Sequence, residues 1–428
     1  MKLLKSDFSK NVLTVLSGSS LALLIALLLS PLLSRFFSPE QFGYLAVYAS
    51  LAAIGSVFAS LRFELTIVLA PTDRYAYYLL LLAFGLTGIF SAGFIVLSGI
   101  VVMAIPDLIA RHIPPFVIFP MLTVGIFLTT ANLILTSWGT RRKRYKGISQ
   151  ARVIQALTLC SGQVALGALS LSGFGLILGH ALGAACMMLK LLQEYADEFR
   201  RFWRTASLKR VVAVAKRYKD FPRFMVIGQL ANVVSGQAPV ILLAFLYDSH
   251  AVGLYSLPER VLVMPCAFIA SSIGEVYRQE AAATFNRIGN CRSVFLKTAK
   301  KLAILGAVPA VVTMAASPFF FSIVFGDAWA EAGKIAAVLG ALIFFQTVVS
   351  PLSYTVLLTK MYRLDLIWQV TRLVLVGVGI WAGYYFLNSL FYSVVFLVAA
   401  YCVMYALHFV LQYKAACGQT VGGKPVSA

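Results

Sequence analysis

The sequence predicts an all-α polytopic membrane protein of about 12 transmembrane helices in two six-helix lobes. Three observations lead there. Of 428 residues, 60% are apolar or aromatic and only 12% charged, with a mean hydropathy of +0.86; an ordinary soluble domain carries about a quarter charged residues. Apolar runs recur at roughly 20 residues or more, the length a helix needs to cross a hydrocarbon core about 30 Å thick. The 36 lysines and arginines are sorted by position, nearly all on one side of those runs. So few charges cannot cover a soluble surface, which excludes a soluble enzyme, and the apolar content excludes disorder.

The runs are 12–34, 42–69, 76–104, 115–138, 151–171, 173–193, 223–246, 253–275, 299–325, 335–358, 366–388 and 391–411. Runs this long fit helices rather than alternating strands, and helices satisfy their own backbone groups in lipid. Three lysines precede the first run, which is longer than a signal-peptide core and has no A-x-A site after it, so it is expected to stay as a span.

Placing the N-terminus in the cytoplasm puts thirty of the 36 cations in inside segments and only Arg35, Arg111 and Lys334 outside. This positive-inside asymmetry predicts both termini in the cytoplasm. Basic runs such as Arg141-Arg-Lys-Arg144 then read as topology signals beside span ends, not as a nucleic-acid site. The longest inside segment, 194–223, divides the chain into an N-terminal lobe, 1–205, and a C-terminal lobe, 206–428.

Short internal matches support two related lobes. Gly43 and Gly253 coincide at an offset of 210, each opening the second span of its half. Tyr145-Lys146 matches Tyr362-Arg363 at an offset of 217, each just before the fifth span. Six is even, so the lobes share one orientation, related by a pseudo-twofold axis along the membrane normal. A two-lobed bundle handling substrate between its lobes near the midplane is the architecture of an alternating-access transporter. The outside loops are too short for a catalytic domain, so no enzyme is expected. The six cysteines lie far apart without CxxC or a nearby histidine, and neither a metal site, a disulfide framework nor a cofactor is expected.

The three cations left over are Arg62, Arg260 and Arg372, with carboxylates Glu64, Glu259 and Glu275 within or at the edge of spans. A central arginine costs about 2.5–3.5 kcal/mol on insertion scales and therefore faces a wet cavity or a partner. Arg62 stands near an inside end, where snorkelling to the interface is an equal reading. Residues 62 and 64 point apart on one helix, which argues against a simple Arg62–Glu64 pair. Arg260 and Arg372 read as cavity-lining; the other reading is a buried ion pair with Glu275 or another carboxylate. Asp365, Gln369 and Arg372 share a helix face at i, i+4, i+7, as do Gln229, Asn232 and Gly236, with Gln237 adjacent. Such faces suit a hydrophilic cavity or hydrogen bonding between packed spans. Guanidinium forks match phosphate oxygens, so a cationic cavity suits an anionic ligand. His180 and His408 are packing donors or, less simply, proton carriers.

Several stretches resemble the bacterial polysaccharide-biosynthesis flippases, the Wzx-type carriers of O-antigen and exopolysaccharide repeat units, in the MOP superfamily with multidrug extruders and the lipid II flippase. They are Leu29-Ser-Pro-Leu-Leu-Ser-Arg35 with Ser38-Pro-Glu-Gln-Phe-Gly43; Arg62-Phe-Glu64 with Ile67-Val-Leu-Ala-Pro71; Tyr255-Ser-Leu-Pro-Glu-Arg260 with Val263-Met-Pro265 and Gln279-Glu280; and Phe325-Gly-Asp-Ala-Trp-Ala-Glu-Ala-Gly333 with Ser350-Pro-Leu-Ser353. Their order covers residues from about 12 to 400. The resemblance implies a flippase that moves a polyprenyl-diphosphate-linked oligosaccharide from the cytoplasmic to the periplasmic leaflet of the bacterial inner membrane. It maps the family's arginines onto Arg62 and Arg260. The partners it implies are the lipid bilayer, a coupling proton or sodium ion, and a polysaccharide polymerase with chain-length machinery. Departures are Phe63 for Tyr, Ala70 for Leu, and Pro258 beside Glu259. A drug or cation extruder of the same fold, a membrane enzyme of the same pathway and a scaffold protein are the rival classes. An extruder would need carboxylates dominating the cavity, and no G-x-x-x-x-G-K-[ST] loop is present for ATP hydrolysis.

Overall fold

Among the described residues the long apolar runs are helical, two of them with a break, helix being the conformation that closes its own hydrogen bonds where water is missing. A computed structural model describes residues 7–104, 115–169, 174–203, 206–359 and 361–418. In chain order the helices are α1 (Asp7–Phe36), α2 (Pro39–Ala59), α3 (Phe63–Leu69), α4 (Asp73–Ala104), α5 (Pro115–Arg141), α6 (Tyr145–Ala168), α7 (Phe174–Trp203), α8 (Leu208–Arg217) and α9 (Asp220–Leu246). There follow α10 (Ser249–Pro258), a π-helical segment (Glu259–Val263), α11 (Met264–Ile288), α12 (Arg292–Phe325), α13 (Ala330–Val349), α14 (Tyr354–Leu358), α15 (Tyr362–Leu387) and α16 (Leu390–Ala416). Short 3₁₀ turns, Asp327–Trp329 and Ser350–Ser353, precede α13 and α14.

Among the described residues, eleven helical stretches are long and apolar enough to cross a membrane. The expected run that does not qualify is 151–171, part of which lies outside the described residues. Its helix, α6, is 24 residues long but carries Arg152, Gln155 and Gln163. Neighbouring helices absorb that polarity: Arg152 donates to the hydroxyl of Ser19 on α1, and buried Gln163 donates to the carbonyl of Leu176 on α7 at 2.9 Å. Interhelical hydrogen bonds of this kind stand in for missing hydropathy.

Two expected spans are interrupted. The run 42–69 stops at Ala59 and restarts as α3, because Leu61 and Arg62 take positive φ of 48° and 62°. The run 335–358 breaks into the 3₁₀ turn at Ser350–Ser353, where Pro351 has no N–H to continue the helix.

The chain divides into two compact units, Met1–Phe37 with Tyr44–Val234, and Ser38–Gly43 with Ser235–Ala428. The first is built on Phe63, Ile67, Tyr77, Trp138 and Tyr195, the second on Tyr277, Phe295, Leu302 and Leu352. Large apolar side chains such as Leu28, Phe245, Phe319 and Ile323 stand exposed, as a lipid-facing surface requires.

The offset of 210 has a physical basis in the second unit. A Cβ on Gly43 would collide with the carbonyl of Ser249, and one on Gly253 with the carbonyl of Pro39. Pro39 and Ser249 are themselves 210 apart and open α2 and α10. The contact is reciprocal: each glycine admits the other helix's first residue. Likewise Tyr145 and Tyr362 each open a helix, α6 and α15. Two of the family-like stretches also meet, since Phe42 lies edge-on to fully buried Trp329, with ring centroids 5.1 Å apart at 86°.

Gly43→Ala and Gly253→Ala are expected to lower the thermal midpoint in detergent, at a cost of about 1–3 kcal/mol each for overpacking. Gly85→Ala, where an added Cβ meets nothing within 4 Å, is expected to be neutral or slightly stabilising. Equal midpoints for all three would remove the reciprocal contact.

Candidate functional site

In the first unit the site begins at the break between α2 and α3. Two consecutive left-handed residues, neither glycine, cost about 1–2 kcal/mol each. They swing Arg62 back over α3, where Arg62 Nη1 lies 2.9 Å from Glu64 Oε1. The sequence expectation of no such pair is therefore wrong: positions 62 and 64 diverge on a continuous helix, but the helix is not continuous. Glu64 is buried at 1% exposure, and its other oxygen accepts from Ser60 Oγ at 2.6 Å. Ser60 Oγ in turn accepts from the Arg62 backbone N–H at 3.3 Å. Arg62 Nη2 donates to Gln229 Oε1 on α9 at 3.0 Å. Arg62 does not snorkel outward: its side chain is 13% exposed, and its buried Nε–H meets no acceptor among the described residues.

Farther along α9, Asn232 and Gly236 are exposed, and a Cβ at Gly236 would meet nothing within 4 Å. Gln237 is half-buried.

In the second unit Glu259 and Arg260 open the π-helical segment, and both are half-buried. Pro258 explains it in part, since it cannot donate to the preceding turn. The Met264 N–H reaches five residues back to the Glu259 carbonyl. One extra residue in a turn rotates the downstream side chains by about 100° relative to an unbroken helix. The π-helical segment, which begins directly after Pro258, thus re-aims the side chains that follow Glu259 and Arg260.

Arg372 has an aromatic rather than a carboxylate environment. Its guanidinium carbon lies 4.5 Å from the ring centroid of Trp368, one turn back on α15, and 5.9 Å from that of Tyr401 on α16. Trp368 Nε1 donates to the Met404 carbonyl at 2.7 Å, which fixes the ring. The Arg372 Nε–H is buried without an acceptor among the described residues. Glu275 is not its partner: it pairs with Arg278 at 3.2 Å on an exposed surface.

Gln369 donates to Asp365 Oδ2 at 2.7 Å. His408 stacks on Trp368 at 4.0 Å and stands 3.7 Å from Asp365 Oδ1. Gln412 Nε2 lies 3.2 Å from the Val349 carbonyl and 3.1 Å from His408 Nδ1. The carbonyl accepts, so that end of the amide is the NH₂ group and Nδ1 accepts as well. The proton of neutral His408 then sits on Nε2, toward Asp365. Helical spacing from Arg372 could have flagged Trp368; nothing local marked Tyr401 or Gln412, which arrive from α16.

The fold and these residues define a class: a multi-pass helical membrane protein holding arginines within its spans. The chain belongs to the family described as polysaccharide biosynthesis protein, whose profile matches residues 32–334. It is 23% identical over 189 residues to the teichuronic acid biosynthesis protein TuaB of Bacillus subtilis (strain 168), covering 44% of this chain and 39% of the length of that relative. Among solved structures it is similar to the lipid II flippase MurJ in an inward closed conformation (TM-score 0.66, 13% identity, 95% of this chain and 90% of that one). It is also similar to an inward-facing multidrug resistance MATE family transporter of the MOP superfamily (TM-score 0.63, 12% identity, 94% of each chain). At these identities the likeness is one of fold.

Glu64→Gln is expected to destabilise the protein by about 3 kcal/mol, because it strands a buried guanidinium. Adding Arg62→Met is expected to restore part of that loss in a double-mutant cycle read by thermal midpoint. Additive effects would mean the pair carries no coupling.

Proposed function

We propose that the chain is a flippase that moves a polyprenyl-diphosphate-linked oligosaccharide repeat unit from the cytoplasmic to the periplasmic leaflet by alternating access, for surface polysaccharide biosynthesis. The observation that carries this reading, beside family membership, is Arg372. It is a guanidinium within a span that lies against Trp368 and has no ion pair within 4 Å among the described residues. The diphosphate and the sugars of such a lipid cannot cross hydrocarbon unaided, and the diphosphate adds a charge whose burial unpaired is prohibitive. A guanidinium fork offers it parallel donors. Arg62 and Arg260 are the other cations assigned to it, while Glu64 holds Arg62 when no ligand does. Glu259, Asn232, Gln237 and Gln369 are assigned to the polar sugar environment.

In this reading the two lobes are 1–205 and 206–428, related by a pseudo-twofold axis along the membrane normal; the reciprocal fit of Gly43 and Gly253 supports it. The membrane is the bacterial inner membrane, with both termini cytoplasmic, as the charge asymmetry supports. The chain catalyses no reaction. Transport draws on a proton or sodium gradient, or on consumption of the product by a polymerase and its chain-length partners. Asp365 beside His408 is the ionisable pair within the spans that suits such coupling.

Arg260→Ala and Arg372→Ala are each expected to abolish surface polysaccharide in a strain lacking the native gene, with normal insertion by immunoblot; normal export by both variants would overturn the cationic site. Cysteines placed at Lys209 and Lys216 on α8 are expected to resist impermeant maleimide added outside intact cells. Labelling there would invert the topology.

A further inference from the structure

The basic run 141–144 does more than mark a membrane side. Arg141 ends α5, and its Nη1 lies 2.6 Å from the Ala70 carbonyl, 3.2 Å from that of Ile67 and 3.4 Å from that of Val68. Its Nε donates to Asp73 Oδ1 at 2.9 Å, and its side chain is 13% exposed. Arg142 bonds the other oxygen of Asp73 and reaches Glu198 Oε2 at 3.1 Å. Glu198 also accepts from Trp138 Nε1 at 3.1 Å and from Arg144 Nη2 at 3.3 Å. Lys143, the fourth member of the run, is exposed.

The three carbonyls belong to the last turn of α3 and the residue after it, where a helix leaves acceptors without backbone donors. Helix α3 has seven residues, too few to stand without tertiary support, because helix nucleation is unfavourable and elongation has little length to recover it. Its other end begins at the left-handed pair Leu61 and Arg62. Such strain persists only where the surroundings over-determine it. Burial of Phe63, Thr66 and Ile67 fixes one face of α3; Arg141 fixes its carboxyl end and, through Asp73, ties it to the start of α4.

We propose that Arg141 is a positioning residue for the Arg62–Glu64 site: its fork on the end of α3 sets where Glu64 stands and keeps Arg62 folded back on it. The functional part rests on the proposed role of Arg62; the clamp does not. Lysine cannot replace it. An ammonium has the charge but not the planar fork that serves Asp73 and the carbonyls together.

That difference supplies the test. Arg141→Lys keeps the topology charge and Lys143→Gln removes one from the same run. Hydrogen–deuterium exchange of the purified full chain is expected to show amides in 63–70 exchanging about tenfold faster or more in Arg141→Lys, because the carbonyls that end α3 lose their buried donor. Peptides from α6 report global folding and are expected to be unchanged, as is all exchange in Lys143→Gln. Export is expected to fall in Arg141→Lys and to hold in Lys143→Gln. Parental exchange in 63–70 for Arg141→Lys would overturn the clamp, and faster exchange with full export would overturn its positioning role. If Arg62→Ala itself exports normally, the ligand role of Arg62 falls, while the exchange result still judges the clamp on its own.

Discussion

A bilayer gives a backbone carbonyl or a guanidinium nothing to bond to, and that constraint governs where this chain is regular and where it is not. Regular helix satisfies it by default. Each departure has its own compensation. The break at Leu61–Arg62 is closed by Ser60, Glu64 and Gln229, and the carboxyl end of α3 by Arg141. The polar α6 is served by acceptors on α1 and α7. Gln412 covers the carbonyl of Val349, the last residue before the 3₁₀ turn at Pro351. Irregular backbone and buried charge occur together because each can satisfy the other.

Much of this is visible in the sequence wherever one property dominates. Run length places eleven of the twelve expected runs on helical stretches able to cross, because hydrocarbon thickness sets it, but their ends differ: 42–69 stops at Ala59, and the stretches holding 173–193 and 253–275 run on to Trp203 and Ile288. The repeat between Gly43 and Gly253 is visible because a helix crossing that close tolerates no side chain. The motif around Trp329 is visible as an odd cluster, though its partner Phe42 lies nearly three hundred residues away.

Hidden from the sequence is the direction in which a side chain points once the helix is interrupted. Leu61 and Arg62 carry no glycine or asparagine signal for the left-handed region, so a helical wheel drives residues 62 and 64 apart. Tertiary bonds override that local preference. Arg141 looks like a topology charge because charge is what a window counts; the contact of its Nη1 with three carbonyls depends on α3 ending beside it. Arg372 and Gln369 share the predicted face, yet the ring that holds Arg372 is Trp368, and Gln369 answers to Asp365. From α16, the Met404 carbonyl fixes that ring.

The environments of Arg62 and Arg372 solve the same problem differently, and the difference bears on the proposed transport. Arg62 is neutralised by a buried carboxylate, so a phosphate arriving there would have to displace Glu64 or accept its repulsion. Arg372 lies against aromatic faces, an interaction worth about 2 kcal/mol when desolvated, close to the roughly 2.5–3.5 kcal/mol it costs to insert an arginine. That balance keeps the cation in place without spending its charge. In the proposed reading, moving a diphosphate would use both behaviours: a site where the anion finds a cation not paired with a carboxylate, and one where a counter-ion takes the cation back so that the anion can leave.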